Sequence, residues 1–322
     1  LSSSSAASDV YKRQIGGRTD FYMWKPVFLD YSYNFAVRNF RHGSFGNVTK
    51  IDNTRQVKNS ESFFSVAAGM PLAHRGVFLI RANGGHVNYR YDSDELFADD
   101  TDHSRYSFFG IKAELARNTL DKFLYPRRGS DLKLSGIFVT GRDKYEPFDA
   151  KKFLSRTPRQ WFGARFTWDK YFDMPGCSWL SLGLNVDGVI TNHPEFTTEG
   201  ATVMSMPAYE PVPHAQMIYM PDFRGRRFAA GGIMPTFDLM HNFFLRTGFY
   251  AMFREKRSFV PGVSGPVEDK RWHYIAEASL VYHTPIGPVS LALTKYDLRN
   301  WKNMYLTFNF GYAIFAPKGT FY

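Results

Sequence analysis

The sequence predicts an all-β fold in which long antiparallel strands form a transmembrane β-barrel. Three observations indicate this fold: side chains alternate between apolar and polar, the alternating segments are long, and the connectors between them alternate between short and long. No run of about 18 apolar residues occurs, which excludes a transmembrane helix, whereas a membrane strand needs only about 9–11 residues with every second one apolar.

The alternation has a period of two from about residue 20 onward. In 27–41, Tyr31 and Tyr33 stand between Asp30, Ser32 and Asn34. Because successive strand side chains point to opposite faces, each segment has one apolar face and one polar face. The polar faces suit a hydrated lumen better than a sandwich core, since they carry charged and amide side chains: Arg38, Lys112, Glu114, Arg165, Asp169, Asn185, Asp187, Arg246 and Glu277.

We predict about thirteen strands of the length that a tilted membrane strand requires. A β-sandwich would have shorter strands of about five or six residues, and a propeller would show repeats of about 40–50 residues, which we do not find. Aromatic rings stand near many strand ends, as they do at membrane–water interfaces. The predicted strands are 19–25, 27–41, 60–70, 74–90, 104–117, 129–142, 159–172, 177–190, 225–235, 243–254, 271–283, 286–297 and 302–315.

Composition excludes several classes of protein. Aromatic residues make up 17% of the 322 residues and charged residues 22%, which excludes a disordered chain. The single cysteine, Cys177, excludes an intramolecular disulfide and any multi-cysteine metal site. The net charge of +10 is spread along the chain without a basic block, so we expect no nucleic-acid partner.

The first fourteen residues, LSSSSAASDVYKRQ, differ from the rest of the chain. They have no period and none of the features of a signal peptide, and they look like translated adapter sequence. We therefore assign 1–14 to a non-native leader and 15–322 to an outer-membrane β-barrel domain. We expect the natural protein to begin further upstream.

Three segments resemble, in the same order, signatures of the BamA superfamily of outer-membrane barrels, also called the bacterial surface antigen domain. They are NTLDKFLYPRRGS at 118–130, Phe223-Arg224-Gly225 followed by FAAGG at 228–232, and TPIGPVSL at 284–291. The resemblance covers about 16–322. It implies a nominal sixteen-stranded barrel whose first three or so strands would be missing here.

The resemblance also implies site residues. Tyr125, Pro126 and Gly129 would form a periplasmic turn, and Phe223-Arg224-Gly225 would be the tip of a long external loop that folds into the lumen. In the superfamily, this arginine contacts acidic or aromatic groups of nearby strands. The predicted strand 243–254 offers no carboxylate, and Glu277 on the polar face of the next strand is the candidate substitute; a solvated arginine in a long loop is the alternative. The chain departs from the pattern at Arg226, where the superfamily usually has an aromatic residue.

Within the superfamily, the chain is most similar to the barrel that follows a patatin-like phospholipase domain. The implied function is to anchor, and to translocate, such an upstream passenger in the outer membrane of a Gram-negative bacterium. Outer-membrane lipid and the barrel-assembly machinery are the implied partners. Two alternatives stay open: an assembly or secretion pore with upstream POTRA domains, and a passive porin-like channel.

We expect no enzymatic activity and no cofactor in this chain. The nearest match to a Gly-x-Ser-x-Gly nucleophile elbow, at 262–266, ends in Pro266 and lies in a loop. His273, Glu277 and His283 share a strand face but are too far apart for one metal ion. The acidic loop from Asp92 to Asp102 lacks the pattern of an EF-hand, so a solvated loop is expected rather than a calcium site.

Overall fold

The computed structural model is a single antiparallel sheet of thirteen strands, each paired with its neighbours in the chain. It describes residues 12–24, 27–41, 56–92, 101–146, 155–212, 215, 220–259, 266–285, 287–296, 298 and 304–311. Within these ranges, no helix has the length and apolar character needed to cross a membrane. The strand order runs from β1 to β13, and the described residues of these two edge strands are not paired with each other.

The predicted all-β fold of about thirteen long strands is confirmed. The strands are β1 Lys12–Trp24, β2 Val27–Arg41, β3 Gln56–Leu72, β4 Gly76–Asp92, β5 Thr101–Asn118, β6 Gly129–Glu146, β7 Ser155–Met174, β8 Cys177–Thr191, β9 Arg227–Met240, β10 Phe243–Phe259, β11 Pro266–Thr284, β12 Gly287–Tyr296 and β13 Met304–Phe310. The one α-helix described, α1, is Glu199–Ser205.

Several strands are longer than predicted. β9 continues five residues beyond the predicted end at 235, although Pro235 cannot donate a hydrogen bond to a neighbouring strand. The ladder between β9 and β10 is interrupted there, and the Thr247 hydroxyl donates to the Pro235 carbonyl at 3.4 Å. β1 begins at Lys12, inside the segment assigned above to a leader, and residues 1–11 lie outside the described part.

The two faces of the sheet have the predicted polarity. On β2, Tyr31 and Tyr33 are 39% and 50% exposed, whereas Asp30 is buried. On β7, Phe162 is 62% exposed, and Trp161 beside it is fully buried. Apolar side chains therefore cover the outer face, and polar side chains together with large aromatic rings cover the inner face. Exposed aromatic residues stand near both ends of the strands, with Trp272 at one end and Trp179 and Tyr282 at the other.

The sheet is curved around a packed interior. Two connecting segments fold into its concave side from opposite ends of the strands. One follows β8 and packs against strands from β3 to β12. The other joins β5 to β6 and reaches β9, β10 and β12. Both segments contain residues that the sequence marks as site residues.

Candidate functional site: two segments that fill the barrel interior

The larger segment, here called the loop plug, lies between β8 and β9 and comprises the described residues 192–212, 215 and 220–226. Helix α1 forms its first half, and the Thr198 side chain caps it by accepting from the Ala201 amide. A short antiparallel ribbon forms its second half: Ala208 pairs with Arg224, and the Tyr209 amide donates to the Phe223 carbonyl at 2.9 Å. The loop plug thus satisfies many of its backbone groups internally, as a segment inside a barrel must.

An aromatic cluster holds the first half of the loop plug against β5 and β7. The Phe196 ring lies 5.1 Å from that of Tyr106, and the His193 ring lies 4.7 Å from that of Trp161. The Thr197 amide and hydroxyl both donate to one carboxylate oxygen of Asp143, at 2.9 and 2.8 Å. Burial of these rings supplies the larger part of the stabilisation, and the Asp143 contacts fix the position of the segment.

Arg224, predicted as the lumen-facing arginine, is 8% exposed and binds within the loop plug itself. Its Nη1 donates to the carbonyls of Met204 and Met206 at 2.9 and 3.2 Å. These carbonyls lie at the C-terminal end of α1, where a cation is favoured and carbonyl groups lack helical partners. Arg224 therefore joins the helix to the ribbon. Phe223 beside it packs edge-on against Tyr296 and His273, at 5.7 and 5.6 Å between ring centroids.

Arg254 of β10 was not identified from the sequence, although it is the residue through which the sheet, here also called the wall, holds this ribbon. Arg254 is 2% exposed and donates to the Arg224 carbonyl at 3.2 Å, to Asp222 Oδ1 at 3.1 Å and to His273 Nε2 at 2.9 Å. In this contact the sheet supplies the cation and the loop plug supplies the carboxylate. A signal was present in the sequence, since Arg254 has the strand parity of the lumen residue Arg246.

Glu277, the predicted partner of Arg224, faces the interior and is 7% exposed. The hydrogen bond found for it comes from the Ser279 hydroxyl, and its electrostatic neighbour is Arg246. The guanidinium of Arg224 donates to the two carbonyls at the end of α1. The structure thus places both residues in the interior with different neighbours, and a direct pair between them stays a prediction.

The smaller segment, here called the turn plug, comprises residues 119–128 between β5 and β6. Tyr125 and Pro126 are buried in it. The Tyr125 hydroxyl crosses the interior and donates to the Ser290 hydroxyl of β12 at 2.9 Å. Arg127 forms an ion pair with Asp238 of β9 at 2.6 Å. The turn plug therefore connects strands on opposite sides of the curved sheet. Its location on the periplasmic side stays a prediction.

The local geometry of the turn plug explains its glycine. Gly129 has φ of +102°, and a Cβ built there would lie 2.2 Å from the Thr119 carbonyl oxygen. Tyr125 itself has φ of +54°, a conformation that non-glycine residues adopt only when the surroundings hold them. Asp121 supplies part of that hold by accepting from the amides of Arg127 and Arg128 at 3.0 and 3.1 Å.

Burial dominates the electrostatics of both plugs. Burial, together with the nearby guanidinium of Arg226, lowers the pKa of His193 to about 3. Burial also raises the pKa of Tyr209, whose hydroxyl donates to Asn185 at 2.6 Å, and that of Tyr125. These groups are therefore neutral at pH 7, which suits packing roles.

Charged side chains in the described part of the interior form contacts with each other. They are paired across strands, as in the bidentate contact of Arg165 with Asp187 at 3.0 and 2.6 Å. Among the residues that the structure describes, no group of three or more His, Cys, Asp or Glu could hold a metal ion. The acidic loop between Asp92 and Asp102 and the sequence around Ser264 lie outside the described residues and side chains.

Comparison with known proteins identifies the fold. No family model and no curated protein matches the chain. Among solved structures, BamA from Haemophilus ducreyi lacking POTRA domains 1–3 matches with a TM-score of 0.59 at 11% identity, over 92% of this chain and 61% of that chain. The fold is that of an outer-membrane β-barrel.

Receptor barrels match less well. The alcaligin outer-membrane receptor FauA from Bordetella pertussis gives a TM-score of 0.41 at 9% identity, over 88% of this chain and 52% of that chain. The ferric preacinetobactin receptor BauA from Acinetobacter baumannii gives 0.40 at 7% identity, over 90% and 55%. The chain spans 61% of the length of the BamA structure, and the likeness concerns the fold alone.

Proposed function

We propose that this chain is the membrane anchor of a Gram-negative outer-membrane protein, and that it translocates an upstream passenger of the patatin-like phospholipase class. The observation that carries the proposal is the filled interior. Two plugs enter from opposite ends of an outer-membrane-type barrel, and the larger is held by reversible polar contacts to Arg254 and Asp143. An anchor needs a stable lipid-facing wall, and a translocation path needs a plug that can be released.

The wall supports the anchoring part of this function. Its outer face is apolar, and from β2 to β12 every strand is paired on both sides, which satisfies backbone groups as spanning a bilayer requires. Outer-membrane lipid is the proposed solvent of this face, and the barrel-assembly machinery is the proposed insertion partner. The patatin-like passenger itself rests on the sequence resemblance described above.

The filled interior argues against a passive channel. Tyr209, Phe223 and Tyr296 are each buried to 2% exposure or less in the middle of the sheet's concave side. A porin keeps a water-filled lumen lined by polar side chains, and the described interior is instead packed with aromatic rings. Passage of solute would require the loop plug to leave.

Polypeptide assembly or secretion is the second candidate function. The BamA structure that shares this fold belongs to a protein with POTRA domains. The upstream reading frame separates the two candidates. A Gly-x-Ser-x-Gly domain before the barrel supports the passenger proposal, whereas tandem POTRA repeats alone support assembly and contradict it.

Membrane anchoring can be tested with paired variants on one strand. Phe166 of β7 faces outward and is 39% exposed, and Thr167 beside it faces inward. The wild-type chain, produced behind a signal peptide in a Gram-negative host, should fractionate with the outer membrane and show heat-modifiable mobility. Phe166→Arg should abolish both, because arginine at the bilayer midplane costs about 2–4 kcal/mol, while Thr167→Arg should retain both. Equal behaviour of the two variants would contradict a lipid-facing outer surface.

A further inference from the structure

A second surface outside the interior shows a pattern that the fold alone does not require. It lies on the outer face of β3 to β6, near the ends of these strands that lead into the long connectors. We call it the basic collar and define it by five residues: Lys58, Arg90, Arg105, Arg142 and Lys144.

Strand register arranges the collar in rows above the apolar band. In one outward row, Val66, Ala82, Ile111 and Phe138 lie side by side. Two outward rows further along the strands, Ser62, His86, Ser107 and Arg142 are neighbours. The next row is Ser60, Asn88, Arg105 and Lys144, and the last is Lys58, Arg90, His103 and Glu146. The surface therefore changes from apolar to basic within a few rows.

The collar places like charges directly opposite each other. Lys58 pairs in register with Arg90, and Arg105 pairs with Lys144. Directly opposite residues have Cβ atoms about 4.5–5.5 Å apart, and like charges in such positions are destabilising. Among the described side chains of these rows, Glu146 is the one carboxylate, and it lies 3.5 Å from His103 Nδ1. Arg105 Nε donates to Asn88 Oδ1 at 2.7 Å, and an external anion would add to the screening of these neighbouring positive charges.

A depression beside the collar supplies room for such an anion. It has a volume of about 710 Å³ and is lined by residues that include Gly84, His86, Ser107, Thr140 and Arg142. Gly84 leaves the floor open, since a Cβ there would meet its nearest atom only at 3.9 Å. The His86 ring and the Ser107 hydroxyl are hydrogen-bonded to each other at 2.8 Å on the wall of the depression.

The position of the collar along the strands, just beyond the apolar band, indicates which kind of anion it binds. On β5, Phe109, Ile111 and Leu115 are 49%, 44% and 39% exposed and belong to the apolar band. Arg105 lies four residues beyond Phe109 on the same face, about 13 Å along the strand at about 3.4 Å per residue. A basic group just beyond the apolar band lies in the headgroup layer, where anionic lipid attracts it.

We propose that the basic collar binds the phosphate groups of a phosphorylated lipid headgroup, with Arg105 and Arg142 as the principal ligands. Arginine forks match phosphate oxygens in geometry as well as in charge. The depression holds the headgroup, and the apolar row of Ile111 and Phe138 contacts the acyl chains. The inference rests on the proposed membrane location and adds a lipid class to it.

The chain contains a matched control. Arg117 also faces outward on β5, is exposed, and lies at the opposite end of that strand, where it is paired in register with Gly76 and Leu132. The test compares the wild-type chain, the double variant Arg105→Gln/Arg142→Gln, the charge-conserving Arg105→Lys/Arg142→Lys, and Arg117→Gln. Each is reconstituted in phosphatidylcholine vesicles that contain one fifth phosphatidic acid, then extracted in mild detergent, and the retained lipids are quantified.

The wild-type chain and Arg117→Gln should retain phosphatidic acid over phosphatidylcholine at least about fivefold above the vesicle ratio, the gain expected for one basic residue at a membrane surface. The glutamine double variant should fall to near the vesicle ratio, and the lysine double variant should keep most of the enrichment. High salt should reduce the enrichment, because the contacts are electrostatic and near the surface.

Heat-modifiable electrophoretic mobility is measured for every reconstituted sample, because it shows whether the chain has inserted into the membrane. This measurement distinguishes failure of the lipid site from failure of the membrane location. A wild-type chain that inserts but shows no enrichment, or a glutamine double variant that inserts and stays enriched, overturns the lipid site alone. A wild-type chain that does not insert overturns the membrane location, and the lipid site with it. If soluble glycerol phosphate, at a concentration equal to that of phosphatidic acid, abolishes the enrichment, the collar binds soluble anions. That result also overturns the lipid assignment.

Discussion

The two plugs fill the same interior by different physical means. The loop plug has its own helix and ribbon, and it is held by aromatic burial together with Arg254 and Asp143. The turn plug has no regular structure, and its shape depends on backbone conformations that few residues adopt, at Tyr125 and Gly129. The loop plug can therefore undock as a unit. The turn plug is rigid, because its backbone has few other conformations that it can adopt.

The largest effect is expected at the rigid plug. Gly129→Ala should reduce the free energy of unfolding by about 4 kcal/mol, since it adds a Cβ 2.2 Å from the Thr119 carbonyl to an unfavourable φ of +102°. Gly176→Ala is the control: φ there is +81°, but no atom lies within 4 Å, so the loss should be about 1 kcal/mol. Urea titration of the folded fraction measures both, and equal losses would show that the contact with Thr119 is unimportant.

The next largest effect is expected where the wall holds the loop plug. Arg254→Met should weaken docking by about 3 kcal/mol, because it leaves the buried Arg224 carbonyl without this donor and removes the contact with Asp222. Arg227→Gln, which alters an exposed pair with Glu255 at 3.9 Å, should cost less than about 0.5 kcal/mol.

Hydrogen exchange of 192–226 and conductance in planar bilayers measure this docking. Both should rise for Arg254→Met and stay near wild type for Arg227→Gln. Arg224→Ala should resemble Arg254→Met and should also weaken heat-resistant folding or secretion, because the join between α1 and the ribbon is lost. If Arg224→Ala leaves folding, secretion and exchange unchanged, the arginine has no bracing role.

Acid should weaken the docking of the loop plug, which holds the buried His193 ring against Trp161. An unfolded histidine titrates near pH 6.5, whereas burial lowers the pKa of His193 to about 3. The docked state therefore binds fewer protons between these values, so its stability is complete above about pH 6.5 and is lost as the pH falls toward 3.

Docking should weaken by about 2 kcal/mol between pH 6.5 and 5, at about 1.4 kcal/mol per pH unit. His193→Phe keeps an aromatic ring beside Trp161 and should flatten the pH dependence of exchange in 192–226. A dependence that persists unchanged in this variant would show that His193 is not the group responsible.

The smallest effect is expected from a single hydroxyl of the turn plug. Tyr125→Phe should cost about 1 kcal/mol, since the buried Ser290 hydroxyl loses its donor while the ring stays packed against Phe244. Tyr33→Phe removes a comparable bond to Ser62 on the exposed outer face and should cost less. Thermal unfolding midpoints compare the two, and a larger loss for Tyr33→Phe would place the turn plug outside the cooperative core.

Much of the wall could be predicted from the sequence, and less of the interior. The alternation of Tyr31 and Tyr33 with Asp30 assigned both faces correctly, because side-chain direction in a strand follows from the residue's position alone. The interior placement of Arg224 came from the resemblance, but its neighbours did not. Arg254 was overlooked because the search on that strand was for a carboxylate that could meet Arg224, whereas the strand supplies a cation that contacts Asp222 of the loop plug.

The sequence by itself determined the strands, their faces and the segments that connect them, since each depends on residues a few positions apart. Only the tertiary structure decided which groups meet inside the barrel. Tyr125 and Ser290 are 165 residues apart in the chain. Their side chains become neighbours because the sheet curves. No local sequence pattern encodes that curvature. The curvature depends on the combined twist of thirteen strands and on the packing of the two plugs against them.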